Sequence, residues 1–359
     1  MNQNLVIAPH MPLKEALKRL DQAANGIVFV LDESGRLIGA LSDGDARRAI
    51  LAGASLDNDI FEVFNRRPHS LQIESMNKDS VRSLFLEKRL KVIPLVDRDG
   101  RLKEVLTWDA YFGGDEAPPA AAPMAPIDVP VVIMAGGKGT RLAPFTNVLP
   151  KPLIPIGERT ILELIIDEFG KYGVHHYFIT VNYRGEMIRA YLDGLERNYT
   201  VEYAWEKDFF GTAGSLTLVR DQIKAEVIVS NCDIIVKANY LDVLQFHRQN
   251  AAALTIVSAI QHHAIPYGVI DFLPGGIVSS IREKPEFTVN INTGVYILSR
   301  ACLDLIPEGR FFHMTDLIDL LLKAGELVVT YPVNENDYID IGQWSEYHSA
   351  IQRMQGISS

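Results

Sequence analysis

Cysteine, basic charge and long apolar runs are all scarce in this sequence, and each scarcity excludes a class of protein. There are only two cysteines, Cys232 and Cys302, and neither belongs to a C-x-x-C pair or a zinc-type spacing, so no disulfide framework or zinc module is expected. The 35 lysines and arginines face 45 aspartates and glutamates, and the net charge of −10 argues against nonspecific binding to nucleic acid or anionic membranes. No run of about 18 apolar residues occurs. The first residues also lack the pattern of a signal peptide, so we expect a cytoplasmic protein.

The remaining composition is that of a folded protein with more than one domain. A chain of 359 residues with 47% hydrophobic and 22% charged side chains can form two domains with substantial cores. Residues 113–128 are rich in proline and alanine and show no helical or strand periodicity, which is typical of a linker. We therefore predict a module at 1–112, a linker at 113–128 and a larger domain at 129–359.

The first module contains a weak internal repeat. The stretch VLDESGRLIGALSDGDA aligns with LVDRDGRLKEVLTWDAY so that Gly35 coincides with Gly100, and a helical pattern precedes each copy. Both copies resemble CBS domains, which end in the pattern G-x-[LIV]-x-G-[LIV]-[LIV]-[ST]-x-x-D. The first copy departs from it at Ala40, whereas the second has Glu104 and Ala110 in place of the second glycine and the aspartate. The resemblance implies an α+β CBS pair, which commonly associates as dimers.

The first copy also has two residues that admit two interpretations. In the CBS family, the residues that match Ser42 and Asp45 hold the phosphate and ribose of an adenine nucleotide, which implies a regulatory site. Alternatively, Ser42 caps a helix that begins near Asp43, with Asp45 in a favourable position in its first turn. The sequence leaves both interpretations open.

The larger domain begins with a strand that leads into a glycine-rich loop, VVIMAGGKGTRLAPFTNVLPKP, at residues 131–152. The apolar run predicts a buried strand, and Gly136 and Gly137 allow backbone N–H groups to approach phosphate oxygens. Arg141 and Lys151 add cationic contacts that a backbone cannot supply. The sequence therefore predicts an anion-binding loop at the end of a strand.

This loop is neither of the two commonest phosphate motifs. A P-loop requires serine or threonine after the Gly-Lys pair, but Gly139 follows Lys138. A dinucleotide fingerprint requires a third glycine where Leu142 stands, which excludes an α/β dehydrogenase of the usual type.

Strands and helices alternate after the loop. Thr160 and Glu163 form a capping box at the start of one helix. Periodicity predicts strands at His176–Val181, Thr200–Trp205, Glu226–Ser230 and Ala253–Ile260, and helices at Gly185–Leu192, Ala213–Val219 and Tyr240–His247. This order predicts an α/β, Rossmann-like domain with a mostly parallel sheet that binds ligands at the carboxyl ends of its strands.

The loop and several later motifs resemble those of the sugar-1-phosphate nucleotidyltransferases. The shared elements, in family order, are G-G-x-G-T-R-L and P-K-P, then Asn231-Cys232-Asp233, Tyr267-Gly268-Val269, Arg282-Glu283-Lys284-Pro285, Asn292-Thr293-Gly294 and Tyr338-Ile339-Asp340-Ile341-Gly342. Each later motif is short, and their common order along the chain carries the resemblance, which implies a glycosyltransferase A-like fold. Cys232 departs from the family pattern and leaves Asp233 in place.

The resemblance also implies a role for each matching residue. Arg141, Lys151 and Lys284 would be catalytic, and Asp233 and Asp340 would hold Mg²⁺. The nucleotide would contact Ala135, Gly136, Gly137, Gly139, Thr140, Asn182, Glu206, Gly211, Thr212 and Ala213, and the sugar would contact Gly268, Glu283, Asn292 and Thr293.

Glu206 bears on the choice of base. The family more often has glutamine there, and a carboxylate can accept hydrogen bonds from both N1–H and N2–H₂ of guanine. The segment Val181-Asn182-Tyr183 also resembles that of guanylyltransferases. The predicted reaction is transfer of GMP from GTP to a sugar 1-phosphate, with release of pyrophosphate. No protein nucleophile is needed.

The predicted acceptor is glucosamine 1-phosphate, because the fusion with a CBS pair resembles the guanylyltransferases of bacterial legionaminic acid pathways. Mannose or heptose 1-phosphate, and UTP, dTTP or CTP as donor, remain alternatives. A catalytically inactive nucleotide sensor is the competing class. We expect a homo-oligomer that binds neither nucleic acid nor membranes.

Overall fold

Two compact units make up the computed structural model, within residues 1–123 and 124–359. The structure describes residues 5–23, 25–88, 90, 92–112, 126–342, 344 and 347, so the predicted linker lies outside the described residues as far as residue 125. No helix in these ranges is both long and apolar enough to cross a membrane.

The first unit consists of two similar halves. Its elements are β1 (Val6–Ile7), α1 (Leu13–Gln22), β2 (Ile27–Leu31), β3 (Leu37–Ser42) and α2 (Asp43–Leu51), then β4 (Leu71–Gln72), α3 (Lys78–Leu86), β5 (Val92–Val96), β6 (Leu102–Thr107) and α4 (Trp108–Phe112). Each half has a three-stranded sheet in chain order, with one parallel and one antiparallel pair. The α+β pair predicted from the repeat is confirmed.

The two halves join through matching hairpin turns. Gly35 and Gly100 both have a φ of +78°, a conformation that favours glycine. The N–H of Leu37 donates to the Gly100 carbonyl at 2.9 Å, and the N–H of Leu102 donates to the Gly35 carbonyl at 3.1 Å. Apolar side chains from both halves share one cluster, formed by Phe29, Ala40, Val92 and Leu102. The repeat therefore folds as one body.

The second unit is built on a seven-stranded sheet. The strands of the whole unit, inside and outside that sheet, are β7 (Val131–Met134), β8 (Pro155–Ile156), β9 (Arg159–Thr160), β10 (His176–Val181), β11 (Thr200–Trp205), β12 (Glu226–Asn231), β13 (Ile234–Val236), β14 (Leu254–Ala264), β15 (Val269–Leu273), β16 (Ile277–Arg282), β17 (Glu286–Ser299), β18 (Val328–Val333) and β19 (Tyr338–Asp340). Its helices are α5 (Ile161–Gly170), α6 (Gly185–Asp193), α7 (Gly211–Gly214), α8 (Tyr240–Gln249), α9 (Arg300–Leu303) and α10 (Met314–Lys323). The seven-stranded sheet has the order β11-β10-β7-β12-β17-β14-β18. Within this sheet, only β17 is antiparallel to its neighbours. The predicted mostly parallel sheet is confirmed.

Local signals placed most elements of this unit correctly. The capping box at the start of α5 forms, since Thr160 accepts from the Glu163 N–H and the Glu163 carboxylate accepts from the Thr160 N–H. The helix predicted at Ala213–Val219 is shorter than expected, because α7 ends at Gly214 and continues as a 3₁₀ turn. The strand predicted to end at Ile260 runs on to Ala264, because its last residues pair with β17.

That extension creates an arm. β14 pairs with β18 only as far as Ala259, and beyond it the strand pairs with β17 alone. The hairpin of β15 and β16 lies between the ends of β14 and β17. At the same carboxyl edge of the sheet, since β14 runs parallel to β12, Met134 of β7 lies beside Asn231 of β12 and Thr180 of β10, so these three strands end together. Loops that follow β7 and β12 therefore meet at one edge, as the α/β pattern predicts.

Candidate active site

A cavity of about 600 Å³ opens at the carboxyl ends of β7, β10 and β12. Its walls are formed by Met134, Gly136, Gly137, Lys138, Gly139, Thr140, Arg141, Lys151, Thr180, Glu206, Phe209, Gly211, Thr212, Ser215, Asn231, Cys232, Asp233 and Phe311. Most residues predicted to bind the nucleotide are among them. The structure thus gathers the glycine loop, three cationic side chains and two carboxylates around one space large enough for a small ligand.

The glycine loop is held closely against its surroundings. Ala135 is buried, and its N–H donates to the Thr180 carbonyl at 2.9 Å, so it anchors the loop without lining the cavity. A Cβ at Gly136 would lie 2.3 Å from Oε1 of Glu206, a clash that only glycine avoids. Gly139 has a φ of +64°, whereas a Cβ at Gly137 would meet open space. At these glycines the backbone of the loop lines the cavity without side chains in between.

Lys151 and Asp233 form an ion pair on the cavity wall. Lys151 belongs to a 3₁₀ turn and is only 9% exposed, and Asp233 lies two residues beyond the end of β12. A charge held in such a site requires a partner, because desolvation penalises an isolated ion. Lys151, predicted to be catalytic, and Asp233, predicted to hold the metal, thus contact each other.

Asp340 lies next to Asp233 because β13 and β19 pair. Ile234 is opposite Asp340, and the N–H of Ile341 donates to the Asp233 carbonyl at 2.9 Å. The position that a Cβ would occupy at Gly342 is 2.7 Å from Oδ1 of Asp340 and 3.6 Å from Oδ2 of Asp233. Both carboxylates therefore face one small space that glycine leaves open.

This pair of carboxylates suits a hard divalent cation. Mg²⁺ prefers oxygen ligands and is commonly bound by one or two carboxylates together with phosphate oxygens of the substrate. Within the described ranges, no group of three histidine, cysteine, aspartate or glutamate side chains could enclose a metal by itself. The donor set fits a metal that the substrate helps to bind.

Glu206 lies directly against the glycine loop, with its carboxylate next to Gly136. Its Oε2 accepts from the Phe210 N–H at 3.2 Å, and Asn182 donates its side-chain amide to the Glu206 carbonyl at 2.9 Å. Burial raises the pKa of the Glu206 carboxyl above its usual value, against the opposing hydrogen bond from the Phe210 N–H. Asn182 thus holds Glu206 in place and does not itself line the cavity.

Two backbone N–H groups of the Gly-Thr-Ala-Gly turn form hydrogen bonds within the protein. The N–H groups of Ala213 and Gly214 both donate to the Phe312 carbonyl, at 3.0 and 2.9 Å. Thr212 Oγ1 accepts from the Met314 N–H at 2.9 Å, and Ala213 is fully buried. Gly211 and Thr212 reach the cavity, but Ala213 supports the wall from behind. A contact between Ala213 and the nucleotide stays a prediction.

Two aromatic residues on the walls were missed by sequence reasoning. Phe209 lies under Lys138, whose Nζ is 5.4 Å from the ring centroid, and Phe311 is 62% exposed. Phe311 reaches the cavity because Phe312 binds the Gly-Thr-Ala-Gly turn, a contact between distant segments that no local pattern shows. Cys232 also lines the wall, and burial raises the pKa of its thiol to about 12, so it stays protonated.

The residues predicted to bind the sugar do not line this cavity. A Cβ at Gly268 would lie 3.2 Å from Oε2 of Glu283, so these two are neighbours at the base of the hairpin. Lys284 has a φ of +43° at the same bend. Thr293 is buried, and its hydroxyl donates to the Val257 carbonyl at 2.7 Å, while Asn292 donates to the Tyr296 hydroxyl at 2.7 Å. Their roles in sugar binding stay predictions.

Ser42 and Asp45 in the first unit form a capping box at the start of α2. Ser42 Oγ accepts from the Asp45 N–H at 3.3 Å, and Asp45 Oδ2 accepts from the Ser42 N–H at 3.0 Å. The capping interpretation is confirmed, whereas a nucleotide contact at these residues stays a prediction.

These features define an α/β protein whose glycine-rich loop and acidic pair meet at the carboxyl edge of a mostly parallel sheet. Residues 130–356 match the model of the nucleotidyl transferase family, and residues 1–52 match that of the CBS domain. The chain therefore belongs to the nucleotidyl transferase family, with a CBS module ahead of that domain.

Several curated relatives share the larger domain. A mannose-1-phosphate guanyltransferase of Debaryomyces hansenii is 33% identical over 228 residues, which cover 61% of this chain and 62% of that protein. A mannose-1-phosphate guanyltransferase of Schizosaccharomyces pombe is 35% identical over 225 residues, covering 60% and 61%. A UTP–glucose-1-phosphate uridylyltransferase of Synechocystis is 28% identical over 242 residues, covering 62% of both chains. The chain thus spans about 62% of the length of its first relatives.

Solved structures agree in fold. The crystal structure of HddC from Yersinia pseudotuberculosis has a TM-score of 0.50 and 26% identity, and the match covers 63% of this chain and 99% of that one. A putative glucose-1-phosphate thymidylyltransferase from Bacillus anthracis has a TM-score of 0.51 and 20% identity, covering 64% and 97%. The second likeness concerns the fold alone.

Proposed function

We propose that this protein transfers GMP from GTP to the phosphate of a sugar 1-phosphate in a Mg²⁺-dependent reaction. The observation that carries the proposal is the Lys151–Asp233 ion pair, which lies on the same cavity wall as the glycine loop. Lys151, which could bind the incoming phosphate, therefore lies beside Asp233, which could bind a metal ion. Membership of the nucleotidyl transferase family supports this choice of chemistry.

In the proposed reaction, an oxygen of the sugar phosphate forms a bond to the α-phosphorus of GTP. The bond from that phosphorus to the oxygen shared with the β-phosphate breaks, and pyrophosphate leaves. The protein contributes position and charge. Backbone N–H groups at Gly136 and Gly137, together with Arg141, would hold the triphosphate, while Lys151 and Lys284 would orient the attacking phosphate.

Asp233 and Asp340 are the residues that would hold Mg²⁺. When bound, the ion would neutralise negative charge on the phosphate oxygens. Lys151 already pairs with Oδ2 of Asp233, so the ion would share this carboxylate with the lysine.

The preference for guanine rests on Glu206. One of its oxygens accepts from the Phe210 N–H, and a carboxylate has enough acceptor capacity left for the N1–H and N2–H₂ groups of guanine. Relatives named guanyltransferases support this choice, whereas the uridylyltransferase relative keeps UTP as an alternative, beside dTTP and CTP. The raised pKa of Glu206 means that its carboxylate is protonated at a higher pH than an ordinary glutamate. As the pH is lowered, the preference for GTP should therefore be lost at a higher pH than it would be with an ordinary glutamate.

Glucosamine 1-phosphate is the acceptor that we propose first. Glu283 places a carboxylate beside Gly268 at the base of the hairpin, where it could pair with the ammonium group of an amino sugar. Mannose 1-phosphate is the second candidate, favoured by the names of the relatives, and heptose 1-phosphate is a third. The charge of the amino group distinguishes the first from the others.

Pyrophosphate release by the full chain tests the proposal directly. GTP, ATP, UTP, CTP and dTTP would each be combined with glucosamine, mannose and heptose 1-phosphates, with Mg²⁺ or with a chelator. We expect the highest kcat/KM for GTP with glucosamine 1-phosphate, and loss of activity with the chelator. No turnover with any pair, together with retained nucleotide binding, would instead support the sensor.

Glu206→Gln tests the base assignment separately. The amide group presents a donor to a guanine edge that itself donates, so kcat/KM for GTP should fall about tenfold or more relative to UTP. Glu202→Gln is the matched control, because Glu202 lies on β11 and pairs with His176 away from the cavity. Equal GTP preference in both variants would contradict a role for Glu206.

A further inference from the structure

The segment that carries two of the proposed phosphate-binding cations has little regular structure. Residues 135–154 connect β7 to β8 through three 3₁₀ turns, and Arg141 and Lys151 both lie in such turns. We call residues 139–155 the cation loop. Turns of this kind form few and poorly aligned hydrogen bonds of their own. The positions of Arg141 and Lys151 therefore depend on the contacts that other segments make with this loop.

Two aromatic side chains near the end of the described chain hold the cation loop. Trp344 donates its Nε1–H to the Ala143 carbonyl at 3.0 Å, and the Tyr347 hydroxyl donates to the Pro155 carbonyl at 2.8 Å. Both rings also pack on Phe145, with centroids 4.8 and 6.2 Å from its own. Ring pairs at these distances add stability beyond the area that they bury. We call Trp344 and Tyr347 the aromatic clamp.

The middle of the cation loop is held by a different pair of residues. Tyr183 donates its hydroxyl to the Thr146 carbonyl at 3.3 Å, and the Arg184 guanidinium donates to the Asn147 carbonyl at 2.7 Å. Both of these residues follow β10, so they tie the middle of the loop to the central sheet. The aromatic clamp instead bonds to carbonyls on either side of this middle part, nearer to the two cations.

The aromatic clamp belongs to the same short segment as one of the acidic residues. Asp340 ends β19, a few residues before Trp344, and β19 pairs with β13, which begins directly after Asp233. One segment thus contacts both the acidic pair and the cation loop. Misplacement of a catalytic group by about 1 Å can lower a rate about 10²-fold. A contact that fixes the distance between these charges therefore bears on the chemistry.

The clamp acts through the loop, because neither of its two described residues is among those that line the cavity. The Ala143 carbonyl lies two residues after Arg141, and the Pro155 carbonyl lies just beyond the 3₁₀ turn that contains Lys151. We infer that Trp344 and Tyr347 are positioning residues that fix the cation loop against the acidic pair, Trp344 through Arg141 and Tyr347 through Lys151. This inference rests on the proposed function, in which Arg141 holds the triphosphate and Lys151 orients the sugar phosphate.

Hydrogen–deuterium exchange on the full chain tests the contact without relying on activity. Trp344→Phe and Tyr347→Phe each keep a ring and remove one hydrogen-bond donor. Exchange of the turn amides at 142–149 should rise about fivefold in the first variant, and at 153–154 in the second, because the turns open more easily. Tyr203→Phe is the matched control, since it removes a hydroxyl bond of 3.1 Å to Asp193 on α6. No rise beyond the control would overturn the inference.

Steady-state kinetics shows whether the clamp positions substrates or only supports the fold. Trp344→Phe should raise the KM for GTP about fivefold and leave the KM for the sugar 1-phosphate within about twofold, whereas Tyr347→Phe should do the reverse. Tyr203→Phe should change neither KM. All three variants lose one hydrogen bond, so their melting temperatures should be similar. Equal changes in both KM values, or changes no larger than those of the control, would contradict a positioning role.

Calorimetry separates this inference from the proposed function. Absence of turnover in the parent protein would contradict the proposed function, and the Kd for GTP with Mg²⁺ would then test the clamp. Trp344→Phe should raise this Kd about fivefold, and Tyr347→Phe should leave it unchanged. An equal Kd in Trp344→Phe and the parent protein, or no binding at all, would overturn the inference.

Discussion

The nucleotide side and the sugar side of the candidate site differ in how far their charged residues are buried and fixed by neighbouring residues. On the nucleotide side, Lys151 is mostly buried against Asp233, and Glu206 is fixed by Phe210 and Asn182. On the sugar side, Glu283 and Lys284 lie on an arm whose strands are exposed. The first half is therefore preorganised, whereas the second lies beside strands that are exposed. Preorganised charge is what an enzyme needs where negative charge accumulates.

The largest effect is expected from removing charge on the nucleotide side. Arg141→Ala and Asp233→Asn should each lower kcat by about 10²- to 10³-fold, the range found when a group that stabilises transition-state charge is removed. Pyrophosphate release measures the loss, and circular dichroism checks the fold. Asp233→Asn should also lower the melting temperature, because Lys151 loses its partner, whereas exposed Arg141 should not. Near-normal turnover by both variants would refute the assignment.

A smaller effect should come from one methyl group in the glycine loop. Gly136→Ala places a Cβ 2.3 Å from Oε1 of Glu206, so the carboxylate must move and the KM for GTP should rise about tenfold. Gly137→Ala is the control, since its Cβ would meet open space and the KM should stay within about twofold. If both substitutions had the same effect, the loop would be sensitive for a reason other than contact with Glu206.

On the sugar side the effect should be confined to one substrate. Lys284→Ala should raise the KM for the sugar 1-phosphate about tenfold, the cost of one charge-assisted hydrogen bond, and should leave the KM for GTP unchanged. Lys323→Ala, an exposed lysine at the end of α10, removes the same charge away from the site. A parallel rise in both KM values for Lys284→Ala would show that the two sides are not separable.

Features that depend on neighbouring residues could be predicted from the sequence, whereas features that depend on contacts between distant segments could not. Thr160 and Glu163 act within one helical turn, and the strand at His176–Val181 follows from its own apolar residues, so both were predicted correctly. Phe311 reaches the cavity only because Phe312 bonds to a turn about a hundred residues earlier, and no local pattern encodes that distance. The exposure of the arm likewise depends on how far β14 and β17 run beyond the sheet.

The smallest effect separates a cap from a nucleotide site in the first unit. Ser42→Ala and Asn77→Ala each remove one capping side chain, at the starts of α2 and α3, and should each lower the free energy of unfolding of this unit by about 1 kcal/mol. If Ser42 also contacts an adenine nucleotide, ATP or AMP should raise the melting temperature of the parent and of Asn77→Ala but not of Ser42→Ala. Thermal unfolding of the full chain with and without nucleotide measures both effects. Absence of any shift in the parent protein would leave Ser42 a helix cap, because the capping box already accounts for every hydrogen bond it forms with Asp45.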